Sequence, residues 1–133
     1  MPPFLLAQHD ETSGGLAAEA AWLAGMLRLY LDEEWTPLEA HRELGEAAGR
    51  AYTRLRVAGT RDASDVLLGL ADELLAFDFN PTFVNTFEVA NKSLELLMLR
   101  AGCDVCCTSE AGREAMRRHE RQLAEEARAA GGR

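Results

Sequence analysis

The stretch from Phe83 to Glu110 limits the possible folds more than any other part of this chain. Phe87, Ala90, Leu94, Leu97 and Ala101 recur at helical spacing, and Val89, Leu96, Met98 and Leu99 broaden the apolar arc. Only Glu88, Asn91, Lys92 and Glu95 leave a polar stripe. A helix apolar over most of its circumference is buried on several sides. The segment is therefore predicted as a helix over 83–101 and as the centre around which the chain packs. It stops at Ala101-Gly102 and runs into Cys103-Asp104-Val105-Cys106-Cys107, which holds all three cysteines of the chain. Thr108-Ser109-Glu110 then opens another helix, predicted over 109–129.

Three more helices precede it. Leu16, Ala20, Leu23, Leu27 and Leu31 mark the first, over 15–34, widened by Trp22, Met26, Leu29 and Tyr30 and capped by Thr12 or Ser13. Its end, Asp32-Glu33-Glu34-Trp35, is poor for a helix C-terminus because anions oppose the dipole there, so these acids are read as serving the next helix. Thr36-Pro37-Leu38-Glu39 reads as that helix's start, with Thr36 as cap, Glu39 closing a capping box and Trp35 stapling onto Ala40. This second helix runs to Val57 and stops at Gly59. Gly45 and Gly49 lie one turn apart within it, and each lowers helix stability by about 1 kcal/mol against Ala; they are read as marking close helix contact, as is Gly25 in the first helix. The third helix, over 63–77, is capped by Asp62 or Ser64 and buries Val66, Leu67, Leu70, Ala71, Leu74 and Phe77. Residues 1–11 form a flexible tail whose Phe4, Leu5 and Leu6 can tuck against the body, and residues 130–133 fray. No strand-like alternation of any length occurs. The fold class is all-α: a single-domain antiparallel bundle of about five helices spanning 1–133.

Composition narrows the partners. The net charge is −8, and residues 1–100 carry 16 acids against 8 bases while residues 101–133 carry 6 of each. Nucleic acid and anionic membrane both require clustered positive charge, so neither is expected. No export leader and no run of roughly 20 apolar residues is evident, and three cysteines within five residues are no disulfide framework. A reducing, cytoplasmic setting is expected.

The cysteine turn is the one constellation suited to chemistry. Cys103, Cys106 and Cys107 are spaced C-x-x-C-C, and a helix start beyond them would lower thiol pKa. A structural zinc site takes four ligands, so His9, His41, His119 or a partner chain would have to supply the fourth. Packing, thiol redox and metal binding all stay open, and the metal is undetermined. No Glu-x-x-His pair, HExxH, phosphate loop or nucleophile elbow is present, so no catalytic residue and no cofactor is assigned. Phe77, Phe79 and Phe83 in the connector before the fourth helix are read either as a plug for one end of the core or as an exposed docking site.

The expectation is a non-enzymatic interaction module: an adaptor, assembly factor or small regulatory subunit. Its partner would be another protein or a second copy of the chain, because helices 1 and 4 hold more apolar surface than a lone bundle buries. Trp22, Trp35, Phe79 and Phe83 are its candidate surface residues. A thiol switch or metal-linked sensor at the cysteine turn is one alternative. A small-molecule or cofactor pocket lined by Trp22, Tyr30, Phe77, Phe87 and Met98 is the other.

Overall fold

A computed structural model describes Leu6, residues 15–102 and residues 110–131. Five helices follow in order: α1 (Gly15–Glu34), α2 (Glu39–Val57), α3 (Ala63–Leu74), α4 (Thr86–Arg100) and α5 (Glu110–Gly131). No strand is formed among the described residues, and the helices make one all-α bundle around a shared core.

The tightest contact joins α1 and α2. Gly45 faces Ala24 and Gly49 faces Ala20, the reversed order of an antiparallel pair. A Cβ added at Gly45 would lie 2.3 Å from the Ala24 carbonyl oxygen, and one at Gly49 would lie 3.0 Å from that of Ala20. The missing side chains let the two backbones meet, as the glycine spacing predicts. Leu23, Met26, Leu27 and Leu31 of α1 then close with Leu44, Ala48, Ala51 and Tyr52 of α2. On the far side of α2, Leu55 seats on Gly69 of α3.

The centre of the molecule is α1 rather than α4. α1 packs against α2, α4 and α5, whereas α4 leans mainly on α3 and secondarily on α1. α4 does bury Val89, Ala90, Leu96 and Leu97, together with Ser93, whose hydroxyl donates to the Val89 carbonyl at 2.7 Å. Phe87 is exposed, however, standing in the first turn of α4 at one end of the bundle.

The helix ends show how local chemistry sets the boundaries. α2 finishes with Gly59 at φ +93°, a left-handed position that glycine adopts without strain. The Thr60 N–H donates to the Leu55 carbonyl at 2.9 Å and the Gly59 N–H to that of Arg56 at 3.0 Å, a complete Schellman stop. Gly102, at φ +85°, follows α4 in the same left-handed conformation, its N–H donating to the Leu99 carbonyl at 3.0 Å. Asp62 caps α3 by accepting from the N–H groups of Ser64 and Asp65. Asn85 caps α4, so Phe83 precedes that helix instead of opening it.

The predicted Thr36 cap is not used. α2 starts at Glu39 with Leu38 in the cap position and no capping side chain from Leu38 itself. Asp32 of α1 does that work: its Oδ1 accepts from the Leu38 N–H at 3.3 Å and lies 2.7 Å from Nδ1 of the fully buried His41. An acid at the end of α1 thus serves the start of α2, as the unfavourable Asp32-Glu33-Glu34 terminus suggested.

α5 is held differently. Met116 and Leu123 rest on the core, with Leu123 over Gly25, and His119 is the one buried residue of this helix. The rest of the contact is polar. Arg118 pairs with Glu33, Arg28 with Glu126, and the Trp22 indole N–H donates to Glu120 at 3.0 Å. Leu6, from the tail, is also docked: it is buried, its N–H donates to the Arg61 carbonyl at 2.8 Å, and its carbonyl accepts from Arg61 Nε at 2.9 Å.

Candidate protein-interaction surface

Large apolar side chains left in water are informative where they gather. Six stay exposed among the described residues: Trp35, Val57, Leu68, Leu75, Phe83 and Phe87. Four of them, Trp35 (44%), Leu75 (71%), Phe83 (60%) and Phe87 (59%), belong to the end where α1 and α3 finish and α2 and α4 begin. Trp35 leaves the last turn of α1, its N–H still bonded to the Leu31 carbonyl at 3.0 Å. Its ring stacks on Phe83 with centroids 5.3 Å apart and planes 20° from parallel. The Thr86 hydroxyl reaches the Leu74 carbonyl at 3.4 Å, which brings their neighbours Phe87 and Leu75 to this same end.

The connector that presents Phe83 is well tied. The Thr82 N–H and hydroxyl both donate to the Phe79 carbonyl, at 2.9 and 2.8 Å, and the Asn80 N–H donates to Asp78 Oδ1 at 3.0 Å. A preorganised anchor of this kind loses little entropy when something binds it.

The sequence candidates divide cleanly. Trp35 and Phe83 are brought together in the open. Phe79 is half-buried and packs edge-on against Phe77, 5.1 Å between centroids, so these two plug the core while Phe83 does not. Trp22 is not a free surface: it bonds Glu120 of α5, and the Arg100 guanidinium lies 4.7 Å over its ring. The proposed pocket of Trp22, Tyr30, Phe77, Phe87 and Met98 is not assembled, because Trp22 and Tyr30 face α5, Phe77 sits in the connector plug and Phe87 is exposed. Cys103, Cys106 and Cys107 lie outside the described residues, as does His9.

Leu75 and Phe87 were not among the surface candidates. Leu75 carried a signal: it falls seven residues after the exposed Leu68, off the Val66–Leu70–Leu74 stripe. Phe87 carried none, since it aligns with the half-buried Leu94 on the helix and only its place at the end exposes it.

Other polar groups are gathered inside the bundle. The buried Tyr52 hydroxyl donates to Glu19 and accepts from Arg56 at 2.6 Å, while Arg100 Nε lies 3.4 Å from Glu19, which ties α1, α2 and α4 together. Burial, and then the Glu19 carboxylate, push the Tyr52 phenol well above its ordinary value. His119 lies edge-on to Tyr30 at 4.6 Å, with Glu33 Oε2 3.6 Å from its Nε2. Burial lowers its pKa, Arg118 and Lys92 add to that, and Glu33 opposes it. The Tyr30 phenol is pushed up to about 12, first by burial and then by Glu95 and Glu33. Among the described residues no three His, Cys, Asp or Glu side chains stand together as a metal site requires. No helix among them is long and apolar enough to cross a membrane.

Residues 6–101 match the sequence pattern of a family described as a domain of unknown function, DUF8822, a span that takes in α1 to α4 and stops before α5. No curated protein and no solved structure matches the chain.

Proposed function

The chain belongs to the DUF8822 family, and we propose that it is a non-enzymatic, cytoplasmic protein-interaction module that docks a partner protein on the open end of its four-helix body. The observation that carries this reading is the gathering of Trp35, Leu75, Phe83 and Phe87 at one end, all within the family-matched span. Aromatic anchors are the residue types most enriched at binding hot spots, and a hot spot works best on a rigid support. The stacked Trp35–Phe83 pair on its bonded connector has both properties.

A photo-crosslinking residue placed at Phe83 tests the proposal in cells that make the protein. A discrete protein adduct is expected from position 83 and none from Val57, which is equally exposed at the opposite end. Equal labelling from both positions, or none from either, would remove the proposal.

A further inference from the structure

Resting on that reading of the open end, we infer that its occupant is a cationic amphipathic segment of a different protein, not a second copy of this chain. Three of the four apolar anchors sit in a stretch whose only charges are acids, two of them at the far start of α3 and the other four from its last turns onward. The thirty residues from Asp62 to Asn91 hold six acids (Asp62, Asp65, Asp72, Glu73, Asp78 and Glu88) and no base. Leu75, Phe83 and Phe87 all belong to that stretch, and Trp35 follows Glu33-Glu34.

Several carboxylates are matched: Glu19 lies near Arg56 and Arg100, Glu73 meets Arg54, Glu126 meets Arg28, and Glu110 and Glu114 share Arg117. At the open end Glu34, Asp72, Asp78 and Glu88 enter no ion pair among the described residues. Of the bases, Arg42 pairs with Glu39 and Arg118 with Glu33. Unpaired acids and uncovered apolar side chains thus occur together at this end.

That combination selects an occupant. Burying the anchors brings the rim acids close to whatever binds, and like charges across an interface are strongly unfavourable while opposite ones steer association. A two-fold dimer through this end would set each acid against the partner's copy of the same surface. Nucleic acid and anionic lipid meet the same repulsion. A helix or strand with Leu, Ile or Phe on one face and Lys or Arg beside them satisfies both parts of the surface.

The probe is a fluorescent Leu/Lys amphipathic peptide of about 18 residues, roughly five helical turns. It is compared with the same peptide carrying Glu for Lys, and with a scrambled peptide of the same charge and no apolar face. Binding to the full chain is read by anisotropy, alongside sedimentation velocity of the protein alone. The Leu/Lys peptide should bind at least about tenfold more tightly than either control, which is the range that a few matched rim charges supply. Glu34→Gln with Asp78→Asn and Glu88→Gln should weaken it by about three- to tenfold, and Trp35→Ser with Phe83→Ser by about tenfold or more. Phe87→Ser alone is a milder second variant should the double one lose helicity.

If the Leu/Lys and Leu/Glu peptides bind equally and Trp35→Ser/Phe83→Ser abolishes both, the docking end stands and the cationic inference falls. If the anchor variants bind the Leu/Lys peptide like the parent, both readings fall. Absence of binding by any peptide, or a dimer that Trp35→Ser/Phe83→Ser dissolves, overturns the inference.

Discussion

Two faces of α1 meet neighbours by opposite means. Towards α2 the backbones touch, with Gly45 under the Ala24 carbonyl and Gly49 under that of Ala20. Towards α5 they stay apart, bridged by long side chains: Arg28 to Glu126, Glu33 to Arg118, Trp22 to Glu120, with Leu123 lying over Gly25. The first contact has no give, because peptide groups cannot move aside. The second is adjustable, since exposed ion pairs contribute little each and their partners can swing. One helix therefore serves as the rigid wall of a core on one side and the seat of a movable cover on the other. The family match follows the same division, taking in α1 to α4 and ending at Ala101.

The same substitution made in both contacts should give the sharpest contrast. Gly45→Ala places its Cβ against backbone, and overpacking of this kind costs about 1–3 kcal/mol, more than the helix-propensity gain of about 1 kcal/mol. We expect a net loss of about 1–2 kcal/mol, read from the denaturation midpoint. An unchanged midpoint would mean that the α1–α2 contact is softer than its geometry. Ending the chain at Gly102 removes α5 and the half-burial of Met116 and Leu123 with it. The cost should be about 1–2 kcal/mol, with a single cooperative transition retained; loss of cooperativity would make α5 part of the core.

A pH shift should reach the cover through His119. The folded state holds His119 neutral, below the ordinary value of 6.5, so once the pH falls below about 6.5 the unfolded chain binds the extra proton and stability declines. Above that pH the group contributes no slope. His119→Phe keeps a ring against Tyr30 and should flatten the difference in melting temperature between pH 7 and pH 5 relative to the parent. The smallest effect belongs to Gly25→Ala. Its Cβ would come within 2.6 Å of the far end of Leu123, a side chain that can turn away. Its stability should stay within about 1 kcal/mol of the parent, the helix-propensity gain offsetting the displaced Leu123.

The helices and the stops of α2 and α4 were legible because local chemistry decides them, whereas α3 ends at Leu74, short of the expected 77. Gly59, Gly102 and Asp62 act within one turn of themselves, and Gly45 and Gly49 announce close packing through what they lack. The hub was not legible. A helical wheel shows how wide an apolar arc is, not where the helix will lie, and the wide arc of α4 ends in an uncovered Phe87. The Thr36 cap failed for a similar reason: Asp32, six residues before Leu38 and on another helix, had already satisfied the N–H that a cap would serve. Of the open end, Trp35 and Phe83 could be singled out as aromatics beside helix boundaries. Their stacking, and the placing of Leu75 and Phe87 at the same end, arise only once three helices have packed.

Native-state hydrogen exchange reads the division of the molecule most directly. Amides in α1, α2 and α4 should exchange only through global unfolding, while those of α5 open at a clearly lower free energy that 1 M salt lowers further. Protection of α5 equal to that of α2, and indifferent to salt, would contradict the account of a four-helix body with a movable fifth helix.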